Sequence, residues 1–129
     1  MTMKIERFED IKAWQEAKIL VNLIYKSVEN NKNFNNDLRL KSQITSAAIS
    51  IMSNIAEGFS RHSDKEFVQF LFIAKGSASE VQSQLYVALD LNYISKEEFE
   101  TIYNQVDKVA KLTSRFISYL RGSLHSTTQ

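Results

Sequence analysis

The chain has 129 residues, no cysteine and no proline, and 16 Lys and Arg against 15 Asp and Glu leave a formal net charge of +1. Without cysteine there is no disulfide framework and no thiolate metal site, and the near-neutral balance lacks the basic excess of a dedicated nucleic-acid binder. A chain of this length can bury about two-thirds of the surface it exposes when unfolded, enough for an independent core.

We therefore expect a single domain over residues 1–129 with short flexible termini. The opening MTMKIERFEDIK carries charges where a signal peptide needs an apolar run. No window approaches the roughly 18 apolar residues of a membrane span. The expectation is a soluble, cytoplasmic protein with no membrane partner.

Three glycines and no proline leave few helix breakers, so long helices are expected throughout. The first is predicted to start at Asp10 as N-cap, with Ile11, Trp14, Ala17, Val21, Ile24 and Val28 at helical spacing. It dissolves in NNKNFNND, which reads as a loop. The second starts at Asn36 or Asp37 and carries Leu40, Ile44, Ala47, Ala48, Ile51 and Ile55 toward Gly58. Ser63 with Glu66 three residues on forms a capping-box pattern that opens the third, whose stripe runs through Phe67, Phe70, Leu71, Ala74, Ala78, Val81, Leu85 and Leu89. Ser95 and Glu98 repeat the pattern before a fourth helix through Phe99, Ile102, Val106, Val109 and Phe116 to Gly122. Short links between four amphipathic segments and no strand signal predict an all-α, antiparallel up-down four-helix bundle.

The stretch SNIAEGFSRHSDKE gathers Asn54, Glu57, Arg61, His62 and three serines, and asks whether it is a catalytic cluster. A nucleophile at Ser60 or Ser63 would need His62 and a third group to orient the ring, which neighbours along one turn rarely supply. Capping chemistry explains the stretch instead, with Gly58 as a left-handed residue just past the second helix. Neither His62 nor His125 follows a Glu by three positions, as a di-iron bundle requires. No zinc-protease, phosphate-loop or nucleophile-elbow motif occurs. We expect no enzyme activity, no metal and no cofactor.

If helices two and three pair residues whose numbers sum to about 121, then Thr45 to Ala48 face Ala74 to Gly76, and Lys41 nears Glu80. Gly76 then marks either a close helix crossing or a glycine tolerated on the surface. Apolar residues also remain outside the expected stripes: Ile19, Leu20 and Leu23 on the first helix, and Val68, Phe72, Ile73 and Tyr86 on the third. Either they form an interface between copies, or the third helix is buried on most sides. Lys108, Lys111 and Arg115 share a face of the last helix and Arg121 follows, making a candidate nucleic-acid stripe. Glu97, Glu98 and Glu100 at the start of that helix equally fit a charge pattern matched to the helix dipole.

The runs FEDIKAWQEAKILVNLIYK, QITSAAISIMSNIAEGFSR and SDKEFVQFLFIAKGSASEVQSQL together resemble the 23S rRNA intervening-sequence protein family, from Phe8 to about Tyr93. The resemblance implies an antiparallel four-helix bundle assembled as a homopentamer, noncatalytic, and associated with RNA or nucleoprotein. The family's polar signature falls on Asn54, Glu57, Gly58, Arg61, Ser77, Glu80 and Gln84, with structural roles. Met52 stands where the family commonly has a proline, and Thr45 and Ser46 stand where a basic pair is frequent. The expected function is a noncatalytic homo-oligomeric scaffold accessory to RNA or nucleoprotein. The alternative is a module that binds only protein.

Overall fold

A computed structural model describes the backbone of residues 5–128 and the side chains of residues 5–122. The outermost residues expected to be flexible termini, and the side chain of His125, lie outside the described residues. A 3-10 turn, Phe8–Asp10, leads into α1 (Lys12–Asn30), α2 (Lys32–Asn36), α3 (Leu38–Phe59), α4 (Asp64–Asp90) and α5 (Lys96–Thr128). The four long helices close a ring of neighbours in which α1 packs on α3 and α5, and α4 packs on the same two. Ser50 meets Ser77 and Gly58 meets Phe67 across α3 and α4. Tyr86 meets Phe99 and Phe67 meets Phe116 across α4 and α5. Numbers that rise on one helix as they fall on the next define antiparallel neighbours, so the expected up-down bundle is present. No strand occurs among the described residues.

Capping chemistry sets three of the helix starts. Asp37 Oδ1 accepts from the Leu40 N–H at 3.1 Å, Ser63 Oγ from the Glu66 N–H at 3.2 Å, and Ser95 Oγ from the Glu98 N–H at 3.1 Å. Each such cap contributes about 1 kcal/mol. Glu98 does not return its carboxylate to the cap. Its Oε2 accepts from Ser27 Oγ at 2.6 Å and from Asn31 Nδ2 at 3.2 Å, tying the start of α5 to the end of α1.

The first helix begins later than expected, at Lys12 behind an extended Ile11. Asp10 instead folds back on the chain before it, accepting from the N–H groups of Glu6 and Arg7. The Asn-rich run is not a loop: Lys32–Asn36 forms α2, and Phe34 at its centre is buried. Phe34 stacks on Tyr93 with ring centroids 5.7 Å apart, and the Tyr93 hydroxyl donates to Asp37 Oδ2 at 2.9 Å. Burying one phenylalanine is worth about 1.5–3 kcal/mol. That is of the same size as the combined aversion to helix of Asn33, Asn35 and Asn36, at most roughly 0.7 kcal/mol each, so the burial offsets it. The last helix also runs on through Gly122 rather than stopping there.

Gly58 is not a left-handed cap. It lies inside α3, no described glycine has positive φ, and Asn92 after α4 is the described residue that does, at 60°. The constraint on Gly58 is closeness: a β-carbon there would sit 2.7 Å from Phe67 Cδ1 and 2.9 Å from Phe70 Cβ. With Ser50 opposite Ser77, the α3–α4 register differs from the expected one by more than a helical turn. Gly76 therefore stands at no crossing, and nothing lies within 4 Å of where its β-carbon would be. Lys41 Nζ donates to Asn35 Oδ1 at 2.8 Å and makes no ion pair with Glu80. With Met52 in place of proline, α3 runs through that position without interruption.

Two residues assigned from sequence to the exterior belong to the core. Leu20 is fully buried with Ala13, Ala17, Ile24 and Val28, and Val68 is buried on α4. Leu23 is half-buried, packed against the same core. The cause is a rotated face: α1 turns Leu20 rather than Val21 inward, leaving Trp14 and Val21 half-buried.

Candidate functional site

The seven signature residues sort into two places. Glu57, Gly58 and Arg61 build the α3–α4 turn. Arg61 Nη2 sits 2.9 Å from Glu57 Oε1, and its guanidinium lies 4.6 Å from the centre of the Phe70 ring. Ser60 Oγ donates to the Glu57 carbonyl at 2.6 Å, and Ser63 Oγ is occupied by the Glu66 N–H. Neither hydroxyl bonds to His62, which is exposed. The turn therefore lacks the nucleophile–base contact that acyl transfer needs. Among the described residues no group of three or more His, Asp or Glu side chains could hold a metal ion.

Of the other four, Ser77, Glu80 and Gln84 line a groove between α3 and α4, and Asn54 is joined to it through Ser50. Asn54 Nδ2 donates to the Ser50 carbonyl at 2.8 Å and to Ser50 Oγ at 3.0 Å, and Ser50 Oγ lies 2.9 Å from Ser77 Oγ. This chain of polar groups crosses the helix seam at the groove floor. Ser77, Glu80 and Gln84 line the groove from α4, and Ser42, Gln43 and Ser46 from α3, around a volume of about 490 Å³. Among the described residues Gln84 Oε1 is buried without a hydrogen-bond donor. Such an orphan acceptor costs about 1–3 kcal/mol. The sequence marked these four residues but not their convergence, because the register that joins them was misplaced.

Around the groove the surface is nearly free of charge. From Ser42 to Ala56, α3 has no charged residue, and from Gly76 to Leu89, α4 has only Glu80. Elsewhere on the surface, four of the residues proposed from sequence for a contact between copies are exposed: Ile19 on α1 and Phe72, Ile73 and Tyr86 on α4, at 42–52 %. Phe72 lies beneath two cations, with Arg121 at 4.9 Å and Lys75 at 5.7 Å from its centroid. Tyr86 packs on Phe99 at 4.9 Å and Tyr103 at 5.9 Å. Val87, absent from the sequence reading, is also exposed on α4.

The basic stripe of α5 is largely spent within the molecule. Lys108 Nζ lies 3.0 Å from Glu16 Oε1, and Lys111 Nζ lies 3.0 Å from Asp107 Oδ2. Arg121 rests on Phe72, apart from the others. Lys108, Lys111 and Arg115 line one shallow hollow of about 310 Å³ with Asn104 and Asp107. Arg115 alone of the three has no ion pair among the described residues.

Glu16, which the sequence reading did not single out, organises this region. It is buried in the α1–α5 seam, accepting from Gln105 Nε2 at 3.1 Å, with Lys12 at 3.6 Å beside Lys108. The bond from Gln105, then that from Lys108, holds its carboxyl below the usual glutamate value, against the opposing effect of burial.

Fold and surface define an antiparallel four-helix bundle whose polar signature gathers at the α3–α4 turn and groove. The model of the 23S rRNA-intervening sequence protein family matches residues 9–115, and the chain belongs to that family. A crystal structure of a protein of unknown function from the S23 ribosomal protein family of Bacteroides thetaiotaomicron VPI-5482 is similar, at 30% identity and a TM-score of 0.69. The match covers 82% of this chain and 94% of that one. No curated protein matches the chain. Among the described residues no helix is long and apolar enough to cross a membrane.

Proposed function

We propose that the protein is a noncatalytic, cytoplasmic helical scaffold that associates with itself, as a homopentamer by family resemblance, and in that form engages RNA or nucleoprotein. The observation that carries self-association is Gly76. A glycine in mid-helix costs about 1 kcal/mol relative to alanine, and no intramolecular neighbour accounts for it. It sits on the exposed face of α4 between Ile73 and Val87, with Phe72 and Tyr86 alongside. A helix of a second copy laid across Gly76 would explain the glycine and cover those apolar groups together.

RNA association is supported by the family's description and by the hollow that holds Arg115. Because Lys108 and Lys111 already have acidic partners, one copy offers a modest patch. Several copies facing one ligand would multiply it.

Sedimentation at high micromolar concentration tests the scaffold. An assembly is expected, and a single-subunit species throughout would reject self-association. RNA binding read by fluorescence anisotropy should fall steeply with added salt. It should fall again when Lys111 and Arg115 become Glu. An assembly that retains no RNA at low salt would leave the protein-only module as the reading.

A further inference from the structure

The α3–α4 groove holds unused hydrogen-bonding capacity, and its ionisable member is acidic. Gln84 Oε1 is buried with no donor among the described residues, although native structures almost always satisfy such an atom. Glu80 lines the same groove and makes no ion pair among the described residues. Arg39 shares an adjoining hollow with Gln43 and Gln84 and leaves Glu80 unpaired. Ser42 and Ser46 add hydroxyls with no polar partner among the described residues, while Ser50 and Ser77 are bonded to each other.

Spacing narrows the ligand. Glu80 and Gln84 are four residues apart on one helix, which brings their β-carbons to within about 5–6 Å. A planar guanidinium carries five N–H donors in a fixed fork and no acceptor, so it can reach a carboxylate and an amide oxygen at once. An ammonium is a point charge and matches the pair less well. A carboxylate or phosphate would meet Glu80 with no cation in the lining to offset it.

We infer that this groove is a receptor site for a guanidinium group, as borne by an arginine side chain, with Glu80 supplying the charge and Gln84 the acceptor once rotation of its side-chain amide turns the buried Oε1 toward the groove. The site is independent of the RNA reading and uses none of the α5 cations.

The test is a titration of isotope-labelled protein with N-acetyl-arginine amide, followed by NMR at the Gln84 side-chain amide and neighbouring backbone amides. Saturable shifts centred on Ser46, Glu80 and Gln84 are expected, with N-acetyl-lysine amide binding more weakly. Glu80→Gln and Gln84→Leu should each weaken binding by about tenfold or more, as loss of a charge-assisted or buried hydrogen bond implies. Their circular dichroism should stay unchanged. No saturable shift would overturn the inference, and so would equal binding of the neutral N-acetyl-citrulline amide, preference for N-acetyl-aspartate amide, or unchanged affinity in Glu80→Gln. A dilution series without ligand identifies the source. If the Gln84 signals move with protein concentration and Arg39→Gln stops the movement, a second copy supplies the guanidinium. If they stay fixed while the arginine probe binds, the group comes from another molecule.

Discussion

A β-carbon on Gly58 would stand 2.7 Å from Cδ1 of Phe67, closer than packed side chains approach one another. Phe70 Cβ at 2.9 Å blocks a second direction, so α4 begins hard against the last turn of α3. Gly58→Ala should therefore destabilise the protein, although alanine is the better helix former by about 1 kcal/mol. Overpacking of this kind costs about 1–3 kcal/mol. Urea unfolding should show the loss as a lower midpoint with little change in slope.

Gly76→Ala should act in the opposite direction on the single chain. The site is open, so the substitution should add up to about 1 kcal/mol to subunit stability, measured on dilute, dissociated protein. If a second copy crosses α4 at Gly76, the same change should weaken assembly by sedimentation. A variant more stable yet equally associated would move the interface away from this residue.

Phe34→Ala should cost about 3–5 kcal/mol, as expected for a buried aromatic. The damage should centre on the α2 corner, where Phe34 stacks on Tyr93. Hydrogen exchange should report faster opening of residues 31–37 first. A loss below about 1 kcal/mol would mean that α2 contributes little to the core.

Glu16 gives stability a pH dependence of known sign. Its carboxyl titrates below the ordinary glutamate value of 4.5 because Gln105 and Lys108 bond to it. A depressed folded pKa means that the unfolded chain binds the proton more readily. The contribution is therefore complete above the ordinary value and is lost as pH falls through the folded one. Asp10, lowered chiefly by the Glu6 N–H, changes in the same direction. Thermal melts from neutral pH down to about pH 3 should show a fall that is shallower in Glu16→Gln. That variant should also start less stable at neutral pH, having lost the ion pairs with Lys12 and Lys108.

Much of the bundle was legible because helical periodicity and capping are local. Ser63 and Ser95 cap where their spacing placed them, though among the described residues neither Glu66 nor Glu98 returns a bond to the cap; Asp37 rather than Asn36 caps α3, and the α5 stripe from Phe99 to Val109 is buried as read. The candidate site was legible only in part. Phe72, Ile73 and Tyr86 are exposed, but Leu20 and Val68 belong to the core, since a rotation of some tens of degrees exchanges faces without altering the period. Lys108 looks like a free cation along α5 because its partner Glu16 lies on α1, whose placement only the tertiary structure gives, whereas the Lys111 partner, Asp107, stands four residues before it on α5 and was legible by spacing.

By itself the sequence determined the number of long helices, their class and most of their starts, because those depend on residues within a few positions of one another. The tertiary structure decided the α3–α4 register. That register makes Gly58 a point of contact and Gly76 an open one, and it brings Ser50, Ser77, Glu80 and Gln84 to one groove. The physical reason is that an amphipathic helix fixes which side it buries far better than how far it slides along its neighbour. Sliding is settled only when particular shapes, here a missing β-carbon against Phe67 and Phe70, meet across the seam.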